Sequence, residues 1–112
     1  MNKRECGAVW EEKARAYLCS LGYEILAHNF YTHFGEIDIV AKDGDMLVFV
    51  EVKYRADTGR GYPQEAVNAR KQQRIRKSAE YYLFRHGYAD CPCRFDVIAI
   101  LGNELTHIKD AF

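Results

Sequence analysis

Glu36, Asp38, Glu51 and Lys53 are the side chains whose types and spacing could do chemistry. Gly35–Ala41 (GEIDIVA) alternates, Lys42-Asp43-Gly44-Asp45 carries an Asp-Gly hairpin signal, and Met46–Tyr54 (MLVFVEVKY) is rich in β-branched residues. With Asp43-Gly44 as a two-residue turn, Lys42 faces Asp45, Glu36 pairs with Glu51, and Asp38 pairs with Phe49. Side chains alternate along a strand with period two. Glu36, Asp38, Glu51 and Lys53 then share one face with Val40, Leu47 and Phe49, and Ile37, Ile39, Met46, Val48, Val50 and Val52 form a purely apolar face. Opposed carboxylates repel, and partly buried ones cost free energy when unpaired. A divalent cation compensates both. Mg²⁺ takes oxygen ligands in octahedral geometry, usually one or two carboxylates with water and phosphate. Asp38 and Glu51 are placed to bind it, and Lys53 to meet a phosphate or help deprotonate a water whose pKa the cation lowers. The competing reading is a solvated face with one ion pair, Lys53 with Glu51 or Glu36. The long, apolar flanks of Glu51-Val52-Lys53 mark a central strand and favour the site.

The elements that must position these groups follow from periodicity. Val9, Ala14, Tyr17, Leu18 and Leu21 recur at helical spacing before Gly22, which predicts an amphipathic helix over 9–21. Tyr23–Phe30 reads as a strand. After the hairpin, Ala56–Tyr62 is a glycine-bearing loop, and Pro63 opens a helix that runs to about His86 and stops at Gly87. Arg94–Leu101 (RFDVIAIL) reads as a buried strand and Glu104–Lys109 as a short edge strand. A strand, a long helix and another strand suit a crossover to a parallel neighbour. The expected fold class is α/β, a mixed sheet flanked by helices on both faces. The 112 residues fit one domain.

Charge is divided along the chain. Lys+Arg and Asp+Glu are 16 each, so the formal net charge is zero, which alone argues against a nucleic-acid partner. Residues 1–52 carry a net −4, however, residues 53–77 a net +6, and residues 78–112 a net −2. In the basic segment Arg70, Lys71, Arg74 and Lys77 form a stripe, beside an apolar stripe of Val67, Ile75, Ala79 and Tyr82. Arg55 and Arg60 flank the loop after the acidic strand. These six side chains are the candidate grip on a phosphate backbone. No base-reading motif is present, so recognition by shape or branching is expected.

Other classes are disfavoured. With 48% hydrophobic residues the chain is no disordered segment. No apolar run is long enough to span a membrane, and the N-terminus lacks the apolar core of a signal peptide, so a cytoplasmic location is expected. Cys6, Cys19, Cys91 and Cys93 lack zinc-knuckle spacing and are read as reduced. His28, His33, His86 and His107 show no ligand spacing.

Asp38, twelve residues, then Glu51-Val52-Lys53 resembles the signature of the PD-(D/E)XK, or restriction-endonuclease-like, nuclease superfamily. The chain is similar over almost its whole length to the YraN family of small bacterial proteins, whose fold resembles archaeal Holliday-junction resolvases. The matching residues include Glu11, Ala14, Tyr17 and Leu18; Gly22-Tyr23 and Asn29; Gly35-Glu36-Ile37-Asp38; Phe49-Val50-Glu51-Val52-Lys53; Arg55, Pro63, Lys71; and Arg94-Phe95-Asp96-Val97. The resemblance implies Asp38, Glu51 and the Val52 carbonyl as ligands of Mg²⁺ or Mn²⁺, Lys53 as the catalytic lysine, and Glu11 as an additional carboxylate near the metal. Glu36 would support these from behind. The family usually has glycine before Glu11; here Trp10 stands there, where its ring would narrow the approach or make a partner contact.

The expected function is a metal-dependent endonuclease acting on DNA rather than RNA, with branched and repair-intermediate DNA as candidate substrates. The alternative is a non-catalytic nucleic-acid-binding or repair-partner module that keeps the fold. Resolvases cut two strands as dimers, so a homodimer is expected by analogy.

Overall fold

A computed structural model describes residues 3–112, with side chains from Gly7 onward, so Cys6 lies outside the described side chains. Helix α1 (Lys3–Ser20) is followed by strands β1 (Glu24–Thr32), β2 (Gly35–Asp43) and β3 (Met46–Arg55). A 3₁₀ turn (Pro63–Ala66), helix α2 (Ala69–Arg85) and strands β4 (Cys93–Leu101) and β5 (Glu104–Ile108) complete the order. The strands form one sheet in sequence order. β3 and β4 are parallel, joined by the α2 crossover, and all other neighbours are antiparallel. This is the mixed α/β sheet with a helix on each face that the sequence predicts, consistent with a restriction-endonuclease-like fold.

Each helix seals one face. Ala14 and Leu18, one turn apart on α1, are fully buried against Ile39, Val48, Val50, Ile98 and Ile100. Ile75, Ala79 and Tyr82 of α2 cover Val40, Leu47, Phe49 and Val97 on the other. The α1 stripe differs from the predicted one at its ends: Ala14, Tyr17 and Leu18 pack inward as expected, but Val9 and Leu21 are about half exposed and Trp10 joins the stripe instead. Gly22, at φ 87°, ends α1, with Tyr23 N–H donating to the Leu18 carbonyl and Gly22 N–H to that of Cys19. That is a Schellman stop, which needs a left-handed residue.

Two expectations are corrected. Pro63 does not open the long helix. Its 3₁₀ turn ends at Ala66, and α2 starts afresh behind Asn68, whose extended backbone lets its side chain accept from Lys71 N–H at 3.0 Å. The hairpin loop is Gly44-Asp45 rather than Asp43-Gly44, since Asp43 pairs with Met46 and Val40 with Phe49. The positive φ, 60°, then falls on Gly44, where a II′-type turn places glycine; an Asp43-Gly44 turn would impose one on Asp43 too. The partners move by two positions, so most faces keep their expected side.

Ile37 does not keep its side. It packs with Val40 on the α2 side, while Ile39 lies on the α1 side. On β1, Ala27 and Phe30 likewise both reach the α2-side core. Both strands therefore slip in alternation between the His28–Ile39 and Phe30–Ile37 pairs, at Asn29 and Asp38. Asn29 has φ 52°, a left-handed conformation that asparagine tolerates better than most residues.

At the far end of β4 lies a polar knot that sequence reasoning missed. Asp96, fully buried, accepts from Arg94 Nε (3.0 Å), from Asp110 N–H (3.0 Å) and from His107 Nε2 (2.7 Å). Arg94 also donates to Asp43 (3.1 Å) and to the Tyr23 hydroxyl (2.6 Å), tying β4 to the hairpin and to the end of α1. Buried charges persist when paired and hydrogen-bonded in this way. Cys19, Cys91 and Cys93 are free thiols.

Candidate metal and phosphodiester site

The alternation slip builds the site. The β2–β3 ladder stops at Ile39–Val50, and beyond it the Asp38 side chain takes over: Oδ2 accepts from Val52 N–H at 2.8 Å. The carboxylate thus fills a place that backbone would otherwise occupy and is locked beside Glu51. Glu11 enters from α1. Ligand oxygens of Glu11, Glu36 and Asp38 lie within 4.8 Å of one another. Asn29 ties this group together. With its amide nitrogen turned toward the acids, it donates to Glu36 Oε1 (2.6 Å) and Glu11 Oε1 (3.1 Å).

Glu51 stands deeper, at 3% exposure. Its Oε1 meets Lys53 Nζ at 3.6 Å and Lys71 Nζ at 3.4 Å. Its Oε2 is buried with no hydrogen-bond partner among the described residues. Glu11, Glu36, Asp38, Glu51, Lys53 and Lys71 line one cavity of about 230 Å³, together with Val52, Trp10 and Tyr54. The two rings stack at 4.0 Å with 10° between planes, so Trp10 narrows the approach by pairing with β3, and Lys13 Nζ lies over its ring at 5.6 Å.

The acids are crowded electrostatically. Burial first, then the charge of Asp38 and a hydrogen bond to it, push the Glu11 carboxyl up to about 7. Burial and then Asp38 push Glu51 up to about 8, although Lys71 and Lys53 pull the other way. Glu36 is raised by burial and Asp38, and Asp38 by burial against the opposing Val52 N–H. Oxygen-only donors, mutual repulsion and an orphaned Glu51 oxygen fit a hard divalent cation, with Asp38, Glu51, Glu11 and the Val52 carbonyl able to hold it.

The candidate residues thus divide. Asp38, Glu51, Lys53, Glu11 and Val52 converge on one cavity. The tight acid triad is Glu11, Glu36 and Asp38, however, while Glu51 leans toward the lysines. Of the basic set, Lys71 turns into this cavity, and with Arg70 and Arg74 it also borders a neighbouring depression. Lys77 lies further along α2, over the Phe34 ring at 5.6 Å. Arg55 and Arg60 do not line the cavity: Arg60 is exposed on the loop, and Arg55 is half-buried with an Nε that has no partner among the described residues. Asn29 is the functional candidate that sequence reasoning gave no role, and Lys71, expected among the phosphate-gripping residues, is found paired with Glu51. The signal for Asn29 was an asparagine inside an apolar strand, a residue disfavoured there. No helix among the described residues is long and apolar enough to cross a membrane.

Comparison with known proteins places the chain. Residues 10–100 match the family described as Uncharacterised protein family UPF0102. A UPF0102 protein of Lachnoclostridium phytofermentans is 48% identical over 113 residues, covering 100% of this chain and 96% of that protein. One of Caldicellulosiruptor saccharolyticus is 45% identical over 118 residues, covering both chains fully. One of Persephonella marina is 44% identical over 106 residues, covering 95% of this chain and 91% of the relative. These matches over nearly the whole chain show that it belongs to the UPF0102, or YraN-like, family.

Proposed function

We propose that this protein is a metal-dependent endonuclease that hydrolyses phosphodiester bonds in DNA, with branched and repair-intermediate DNA as its substrate class. The observation that carries the reading is the buried Oε2 of Glu51, without a hydrogen-bond partner among the described residues, in a cavity shared with Asp38, Glu11, Glu36, Lys53 and Lys71. The spacing of Asp38 and Glu51-Val52-Lys53, as in PD-(D/E)XK nucleases, agrees with it.

Asp38, Glu51 and the Val52 carbonyl would hold Mg²⁺ or Mn²⁺, with the Glu11 carboxylate beside them. When bound, the cation polarises the phosphate and lowers the pKa of water at the site. The chain's own groups do the rest. Asn29 holds Glu11 and Glu36 in place, and the Val52 N–H fixes Asp38. Lys53, 30% exposed, reaches both Glu51 and the open cavity, so it can meet the attacked phosphate and take part in proton transfer. Lys71 neutralises Glu51 and borders the groove where Arg70 and Arg74 contact the backbone.

The test is cleavage of a four-way junction and of single- and double-stranded DNA with Mg²⁺ or Mn²⁺, by wild type and by Lys53→Ala and Glu51→Gln variants. Metal-dependent cutting lost in both variants is expected. Tight binding with no cutting of any substrate would replace this reading with the non-catalytic binding module.

A further inference from the structure

The outer face of α2 extends beyond Arg70 and Arg74 into a patch that the hydrolytic site does not use. At 100° per residue, Arg70, Arg74, Lys77, Tyr81 and Phe84 fall within a stripe about 80° wide. Ile75, Ala79 and Tyr82 point the other way, into the core. The stripe changes character along its length, basic toward the acidic cavity and aromatic away from it. Phe84 is 83% exposed and Tyr81 39%. With Phe34, Lys77 and Glu80 they line an open groove of about 380 Å³. Phe34 sits in the turn before β2, two residues from Glu36 of the acid cluster, and a Cβ built on Gly35 would meet Arg74 Cβ at 3.9 Å. The groove and the site are therefore neighbours along α2, separated by the close approach of Gly35 to Arg74.

We infer that this stripe is a stacking track for unpaired DNA: the bases of a single-stranded segment stack on Phe84, Tyr81 and Phe34 while Lys77, Arg74 and Arg70 hold its phosphates and lead it to the cavity. The occupant follows from charge and shape. A face with three cations and one carboxylate, Glu80, suits a polyanion, and exposed rings beside cations suit nucleobases, whose stacking is sequence-tolerant. From Lys71 to Phe84 is roughly 20 Å along the helix axis, the length of about six nucleotides at duplex rise and fewer when the strand is extended. The inference deepens the proposed function by naming its substrate class as DNA with an unpaired arm, a splayed junction or a flap.

Binding in EDTA tests it without any contribution from cleavage. Fluorescence anisotropy with a labelled oligo(dT) and with a blunt duplex compares wild type with a Tyr81→Ala/Phe84→Ala variant, both positions being exposed and folding being checked by circular dichroism. The expected result is a loss of tenfold or more in oligo(dT) affinity with duplex affinity changed less than threefold. Photocrosslinking of bromodeoxyuridine oligonucleotides should map to Tyr81 or Phe84. Equal oligo(dT) affinity in both proteins overturns the inference, as does a wild-type dimer that the variant converts to monomer with oligo(dT) affinity unchanged, which would make the face a self-association surface. Because no metal is present, these outcomes hold whether or not the protein cuts DNA.

Discussion

Replacing Glu51 by glutamine probes the site through stability rather than turnover. The Glu51 carboxyl sits at about 8 instead of 4.5, chiefly because it is buried and then because Asp38 is beside it. Between those values the folded state keeps a proton that the unfolded chain has lost, so the folded state binds more protons and stability falls as pH rises through this window. One pKa unit corresponds to about 1.4 kcal/mol, so the metal-free protein carries a penalty on the order of a few kcal/mol at pH 8. Glu11, raised to about 7 but more open to water, adds a smaller penalty of the same sign. Glu51→Gln keeps the shape and removes the charge. Lys53 and Lys71 lose a partner, but at 30% and 35% exposure they retain water, which limits that loss to about 1 kcal/mol. The variant should therefore be more stable than wild type in EDTA at pH 8 by about 1–3 kcal/mol, or ~4–12 °C in Tm for a domain of this size. The gap should close by about pH 5. Excess Mn²⁺ should reverse the order, since a ligand at a hundred times its Kd stabilises by about 2.7 kcal/mol and the variant loses much of that gain. Calorimetric scans over this pH range, with EDTA and with Mn²⁺, measure all three effects. A variant less stable than wild type at every pH, and equally responsive to Mn²⁺, would make Glu51 a structural anion for its lysines and refute the reasoning.

Asn29→Gly should keep the left-handed backbone and weaken Mn²⁺ binding, whereas Asn29→Ala should also lose about 1–2 kcal/mol of stability; paired titrations and thermal melts separate the two roles. Asp96→Ala strands Arg94 inside the fold and removes the acceptor for His107 and Asp110 N–H, and should cost about 3–5 kcal/mol in urea unfolding; a cost below about 1 kcal/mol would mean that the knot is dispensable. Arg74→Gln should weaken DNA binding uniformly across sequences and lower the salt slope by about 1 in a titration of affinity against salt. An unchanged slope would remove Arg74 from the phosphate contacts.

The fold was legible because its apolar residues repeat at the period of the element they form. Leu47, Phe49 and Glu51 share the α2 side, and Ala14 and Leu18 mark the buried line of α1. The parallel β3–β4 pair followed from the length of the crossover. Local backbone choices were not legible. The position of the positive φ moved the hairpin by two partners, and Asn68 restarted a helix that Pro63 seemed to open. The shared side of Glu51 and Lys53 was readable from strand parity, because an even shift preserves it, but the place of Asp38 beside them was not, because alternation slips at Asp38. The gathering of Glu11 and Asn29 was not, since it depends on a simultaneous slip of alternation in two neighbouring strands and on the seating of α1. The polar knot was equally hidden: Arg94 and Asp96 share β4, but His107, Tyr23 and Asp43 reach them from elsewhere in the chain with no spacing to announce the meeting.

Whether the acids of α1, β2 and β3 hold one cation is settled most directly by crystals soaked in Mn²⁺ and measured at the manganese absorption edge. The account predicts an anomalous peak about 2.2 Å from oxygens of Asp38 and Glu51 and from the Val52 carbonyl, with Glu51 Oε2 drawn onto the ion. A well-ordered crystal with no peak in this cavity, and with Glu51 still paired to Lys53 and Lys71, would contradict it.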